Sequence, residues 1–157
     1  MNVERQRRTL LRHGFIFLFI APCLGFAIAI LPHPRAWLAA HLTAFLTCFV
    51  LSTIGLVWRE LRLTEGQRKT VLITGYTAAY AGLAQNVFAA IVDLPGPASA
   101  PGVVVPMTQL PIFIAFLAIV VPTTFVSFGL VLFGMRGEAV ATAVTRPDAT
   151  FTATKTA

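Results

Sequence analysis

The chain has 157 residues, 57% of them hydrophobic and only 11% charged, with a mean hydropathy of +0.80. A water-soluble domain carries about 25% charged residues, so the composition excludes an ordinary soluble enzyme and a nucleic-acid module, even at a net charge of +6. The basicity reads instead as a membrane topology signal and as contact with anionic lipid headgroups.

Roughly 20 helical residues cross a bilayer core about 30 Å thick, and four stretches qualify. The first runs from Gly14 to Leu31 and stops at Pro32-His33-Pro34. Basic residues precede it as in a signal peptide, but it is long for such a segment and its Ala-Pro-Cys is a poor cleavage site, which predicts a mature helix. The second runs from Trp37 to Trp58, with a tryptophan at each end where amphipathic rings favour the interface. The third, Thr70 to Val92, is the most polar, with Thr74, Tyr76, Thr77, Tyr80, Gln85 and Asn86. Asp93 to Gln109 is rich in Pro and Gly and reads as an outer loop. The fourth span runs from Leu110 to Met135, with Pro122 near its middle as a local kink. Residues 137–157 are rich in Thr and Ala and read as a disordered cytoplasmic tail.

Of the twelve Lys and Arg residues, only Arg35 falls between spans one and two; the other eleven precede span one, join spans two and three, or follow span four. The positive-inside rule then places both termini in the cytoplasm. The fold expected is an all-α membrane protein, a four-transmembrane-helix bundle over residues 1–136, multi-pass in the inner (cytoplasmic) membrane.

Several chemistries have no residues to carry them. The sequence holds no HExxH, Walker loop, CxxC, CxxCH or GxSxG, no carboxylate inside a span, and no convincing internal repeat. Cys23 and Cys48 lie in apolar runs and do not indicate a disulfide framework. Without a buried acid, a proton-coupled transporter and a two-carboxylate mechanism lack support.

His41 is the clear ionisable residue within a span, four residues after Trp37 and so about 6 Å below the outer interface. His13 sits at the cytoplasmic end of span one and His33 in the outer turn, both within reach of water. Ala44, Phe45, Cys48 and Ser52 share the His41 face, and small, soft neighbours leave room for something large. Two readings stand: a histidine bonded to a carbonyl of a neighbouring helix, or a metal ligand, above all the axial ligand of a haem. Gly75, Ala79, Gly82 and Asn86 form a smooth stripe topped by an amide, read either as helix packing or as a cofactor or substrate surface. Asn86 lies about 9 Å below the outer end of span three, a depth similar to that of His41. Tyr76 and Tyr80 add two phenols on an adjoining face. A single well-placed histidine points to an open sixth iron position rather than to bis-histidine electron transfer.

Three places resemble the styrene oxide isomerase family: Glu4 to Gly14 (ERQRRTLLRHG), a basic start ending in His-Gly; Trp37 to His41 (WLAAH), similar to the family's entry to span two; and Tyr80 to Phe88 (YAGLAQNVF), placed like its aromatic-A-N segment. The resemblance covers about residues 4–136. It implies a homotrimer with haem b near the subunit interfaces, His41 as iron ligand, and Lewis-acid opening of a small hydrophobic epoxide to a benzylic cation, with a 1,2-hydride shift to an aldehyde. Where the family has an asparagine six residues after its haem histidine this chain has Thr47; the span-three asparagine falls on Gly82 and the tyrosine four residues later on Asn86. The resemblance, taken with the shared helix faces, makes Asn86, Tyr80 and Thr47 the catalytic candidates and His41, Ala44, Cys48 and Gly82 the expected haem neighbours. A haem-binding electron-transfer or sensing subunit is the non-enzyme alternative. A glutathione-dependent membrane enzyme, drawing on Arg59 to Lys69, ranks last because the polar residues of spans two and three lie toward the outer side.

Overall fold

A computed structural model describes residues 2–92, 108 and 110–136. The loop expected between spans three and four, Thr108 apart, and the tail expected over 137–157 lie outside the described residues.

Four helices make up the described chain: α1 (Val3–Ile30), α2 (Pro34–Val57), α3 (Glu65–Ile91) and α4 (Leu110–Gly134). The starts of α1, α2 and α3 have local causes. The Asn2 side chain accepts from the Glu4 amide at 3.0 Å, so α1 begins more than two turns before its apolar segment. Between two prolines, His33 takes a left-handed conformation (φ 63°), and Pro34 opens α2 where its missing N–H costs nothing. Thr64 and Gln67 form a reciprocal capping box at the start of α3. Helix α4 continues through Pro122, with the Thr123 hydroxyl donating to the Ile119 carbonyl at 2.6 Å and the Thr124 hydroxyl to that of Val120 at 2.7 Å.

Helices α1, α2 and α4 are long and apolar enough to cross a membrane. Helix α3 matches them in length, at 27 residues, but carries the polar side chains noted above.

The bundle runs up and down. At one end the Trp58 indole donates to the buried Gln6 amide oxygen at 3.2 Å, Arg59 reaches Glu4, and the Arg62 N–H donates to the Gly134 carbonyl at 2.9 Å. The start of α1, the α2–α3 turn and the end of α4 therefore share that end. At the opposite end the rings of Phe88 on α3 and Phe116 on α4 meet, so these two helices are antiparallel.

Helix α1 packs on α2, α2 on α3, and α3 on α4. In a bilayer, helices gain little from hiding apolar surface and rely on close fit. Gly14 supplies that fit: a Cβ there would run into the Ser52 hydroxyl and sit 3.3 Å from the Cys48 carbonyl. Trp58, at the end of α2, is fully buried within the protein, with Arg68 over its ring at 5.8 Å. Arg68 also donates to the carbonyls of Leu63 and Leu61, which tie down the turn after α2.

Candidate active site

The candidate residues named from sequence fall into three places. On the α1 side of α2, His41 places Nδ1 2.8 Å from the Ala21 carbonyl oxygen. A carbonyl only accepts, so Nδ1 carries the hydrogen, and in that tautomer the lone pair lies on Nε2. Phe45 stacks on the same ring with 6.4 Å between centroids and 18° between planes. Gly25 leaves the ring its room, since a Cβ there would stand 3.4 Å from Nδ1. Ala21 and Gly25 were not singled out from the sequence. Their signal was present as a small-xxx-small pair on α1, but only the fold sets it opposite His41.

Ala44 and Cys48 follow His41 along this seam, and both are buried. Further along the seam α1 closes on α2, its Gly14 backbone lying against Cys48 and Ser52. Both cysteines are free thiols.

The second place is a cavity of about 310 Å³ between α2, α3 and α4. Thr47, Gly82 and Asn86 all line it, as do Thr43, Gln85 and Ser127, which sequence reasoning had not assigned to a site. Apolar walls come from Leu46, Val50, Val120 and Phe128. This is the size range of a small-ligand site, apolar with a few convergent polar groups. The Asn86 Nδ2 donates to the Gly82 carbonyl at 2.9 Å, which fixes the amide and leaves Oδ1 as an acceptor and one N–H still to give.

The third place holds Tyr80. Its hydroxyl is 2.7 Å from the His13 Nδ1, and its ring meets Phe17 at 5.0 Å, so Tyr80 is tied to α1 and stands apart from the cavity lining. Tyr76 packs against the same His13 ring at 4.5 Å, with its buried hydroxyl unpartnered.

Thr43, two residues after His41, lines the cavity together with Asn86. His41 itself is turned the other way, to Ala21, while Thr43 and Thr47 are turned to α3 and α4, so helix α2 stands between the histidine and the cavity.

A family model described as styrene oxide isomerase matches residues 6–136. The chain is also 31% identical over 74 residues to the hydroxylaminobenzene mutase HabB of Ectopseudomonas oleovorans, a match covering 47% of this chain and 45% of that protein. The aligned part thus spans less than half of the relative's length. No solved structure matches the chain.

Proposed function

The chain belongs to the styrene oxide isomerase family, and from that membership we propose that it is a haem b-dependent membrane isomerase converting a small aryl epoxide to an aldehyde. The observation that carries the haem assignment is the His41–Ala21 hydrogen bond, because it orients the ring and reserves Nε2 for a metal, as carbonyl partners do for ligating histidines. Of the residues first assigned to the cofactor, His41 is the one whose chemistry fits an iron ligand. When bound, haem iron supplies a Lewis acid that polarises the substrate's C–O bond.

The remaining work is done by the cavity. Leu46, Val50, Val120 and Phe128 take the aryl group and keep water from the opened ring. Asn86 gives its remaining N–H to the substrate oxygen as charge builds there, and Thr47 offers a second donor. Tyr80, engaged by His13, has no substrate contact in this reading. The proposal includes the homotrimer that the resemblance implies; α2 separates His41 from the cavity within one subunit, and a site using both needs a second subunit to complete it.

The proposal also has α3 as a fourth span, both termini in the cytoplasm, and the inner membrane as location. In its support, α3 runs the length of α4 in the opposite direction, and several of its polar groups line the cavity. Arg59, Arg62, Arg68 and Arg136 gather at the end shared by the start of α1 and the end of α4.

A second reading is favoured by the Asn86 amide. An epoxide oxygen only accepts, whereas a hydroxylaminoarene has N–H and O–H donors that suit the free Asn86 Oδ1. The relationship to a hydroxylaminobenzene mutase points the same way. That isomerisation also balances within one molecule: the N–O bond breaks, a ring C–O bond forms, and the displaced ring hydrogen ends on nitrogen.

The test is an absorption spectrum of the purified protein followed by product analysis with aryl epoxides and with hydroxylaminobenzene. Haem with aldehyde formation supports the first reading, and turnover of the hydroxylamine alone supports the second. Haem with two strong axial ligands and no turnover replaces both with electron transfer or sensing.

A further inference from the structure

Helix α1 buries one face against the bundle and presents the other outward. On the outward face Arg5, Arg8, Arg12, Phe15, Phe19 and Phe26 advance by three, four, three, four and seven residues. At about 100° per residue these positions stay within roughly 80° of one another, a straight stripe down the helix. Its upper part is cationic. Its lower part is apolar, with Phe15 66%, Phe19 74% and Phe26 73% exposed.

The arginines border a hollow of about 450 Å³ that Asn2 and Thr9 complete with an amide and a hydroxyl. Glu4 also borders it, but its carboxylate is already held by Arg7, Arg8 and Arg59. Arg5 and Arg12 have no ion pair among the described residues. Cationic groups thus stand in excess directly above an unpartnered apolar track.

We infer that this stripe is a binding site for one anionic phospholipid, its phosphate between Arg5, Arg8 and Arg12 and an acyl chain along Phe15 and Phe19. Charge selects this occupant over a second copy of the chain. Among the described residues the carboxylates are Glu4, Glu60 and Glu65; Glu4 is enclosed by arginines and Glu65 pairs with Lys69 at 3.6 Å, so the described surface of a partner copy offers little acidity to Arg5 and Arg12. A phosphodiester supplies the charge and the acceptor oxygens, and its acyl chain supplies the apolar length. The inference rests on the membrane helices alone and stands whichever substrate the cavity takes.

The test is native mass spectrometry of the full chain in detergent, offered an equimolar mixture of phosphatidylglycerol and phosphatidylcholine. Wild type retains phosphatidylglycerol preferentially. The double variant Arg5→Gln/Arg12→Gln, which leaves the Glu4 cluster intact, lowers that preference by roughly 25-fold, at about fivefold per basic residue. Arg62→Gln/Arg136→Gln removes the same charge at the same end of the bundle and keeps the preference. Equal retention by wild type and the Arg5/Arg12 variant overturns the site, and so does an equal loss in the control, which would mark a diffuse charge effect. Displacement of the lipid by inorganic phosphate alone would assign the hollow to free phosphate. A change of oligomeric mass in lipid-free detergent, with no lipid preference in wild type, would make the stripe an interface between copies.

Discussion

The Nδ1 of His41 and the carbonyl oxygen of Ala21 lie 2.8 Å apart across the α1–α2 seam, twenty residues apart in sequence. The contact sets the tautomer of the one histidine well inside a span, so the iron ligation proposed for His41 depends on α1.

His41→Ala is expected to abolish the Soret absorption while the protein still elutes from detergent as wild type does. Gly25→Leu presses on the same ring from α1, where even a Cβ stands 3.4 Å from Nδ1. Haem affinity should then fall roughly 10–100-fold, as for other losses of support behind a ligating histidine. Full haem retention in His41→Ala would overturn the assignment.

Asn86→Leu should lower turnover by about 10²–10³ with the haem spectrum close to wild type, the usual cost of losing a donor to developing charge. Thr47→Ala should cost about tenfold or less, because Thr43 offers another hydroxyl in the same cavity. Gly82→Leu fills the space without moving the backbone, since its Cβ would meet nothing closer than the Val120 Cγ1 at 3.9 Å. Product formation by haem-matched membranes checks all three, and wild-type rates in Gly82→Leu would place the substrate elsewhere.

Gly14→Ala should destabilise the bundle by about 1–3 kcal/mol, because the added methyl meets the Ser52 hydroxyl and the α2 backbone. Gly66→Ala, whose Cβ would have no neighbour within 4 Å, should be neutral or stabilising. Thermal unfolding in detergent separates the two.

The Arg59 hydrogen bond, reinforced by Arg8, lowers the pKa of Glu4 from 4.5 to about 2. A depressed folded-state value means that the carboxylate's contribution is fully present above about pH 4.5 and is lost as pH falls toward 2. Wild type should therefore lose more thermal stability than Glu4→Gln across that window, by a small margin since the pair is solvent-screened. Parallel melting curves at several pH values would show no such gap if the cluster were idle.

With Cys23 and Cys48 replaced by Ser, a membrane-impermeant thiol reagent applied from outside should label Arg35→Cys and spare Gly66→Cys. The reverse pattern would overturn the proposed orientation.

The chain alone determined the helical class and three membrane-length helices, because apolar runs of that length have no other way to satisfy their backbone in lipid. It also located the break at Pro32-His33-Pro34, which acts through its immediate neighbours; the start of α3 at the Thr64–Gln67 box lies before the Thr70 expected. The position of each polar residue along its own helix was legible too, because rise per residue is fixed within a helix. Facing was not. Ala44 and Cys48 look the same in sequence whether they flank a cofactor or a neighbouring helix, and only the fold sets Cys48 against α1 at Gly14. Tyr80 shares α3 with Asn86, yet the choice between His13 and the cavity depended on the rotation of α3 in the bundle. Helix rotation follows from side-chain packing summed over every neighbour, and no local stretch of the chain contains that sum.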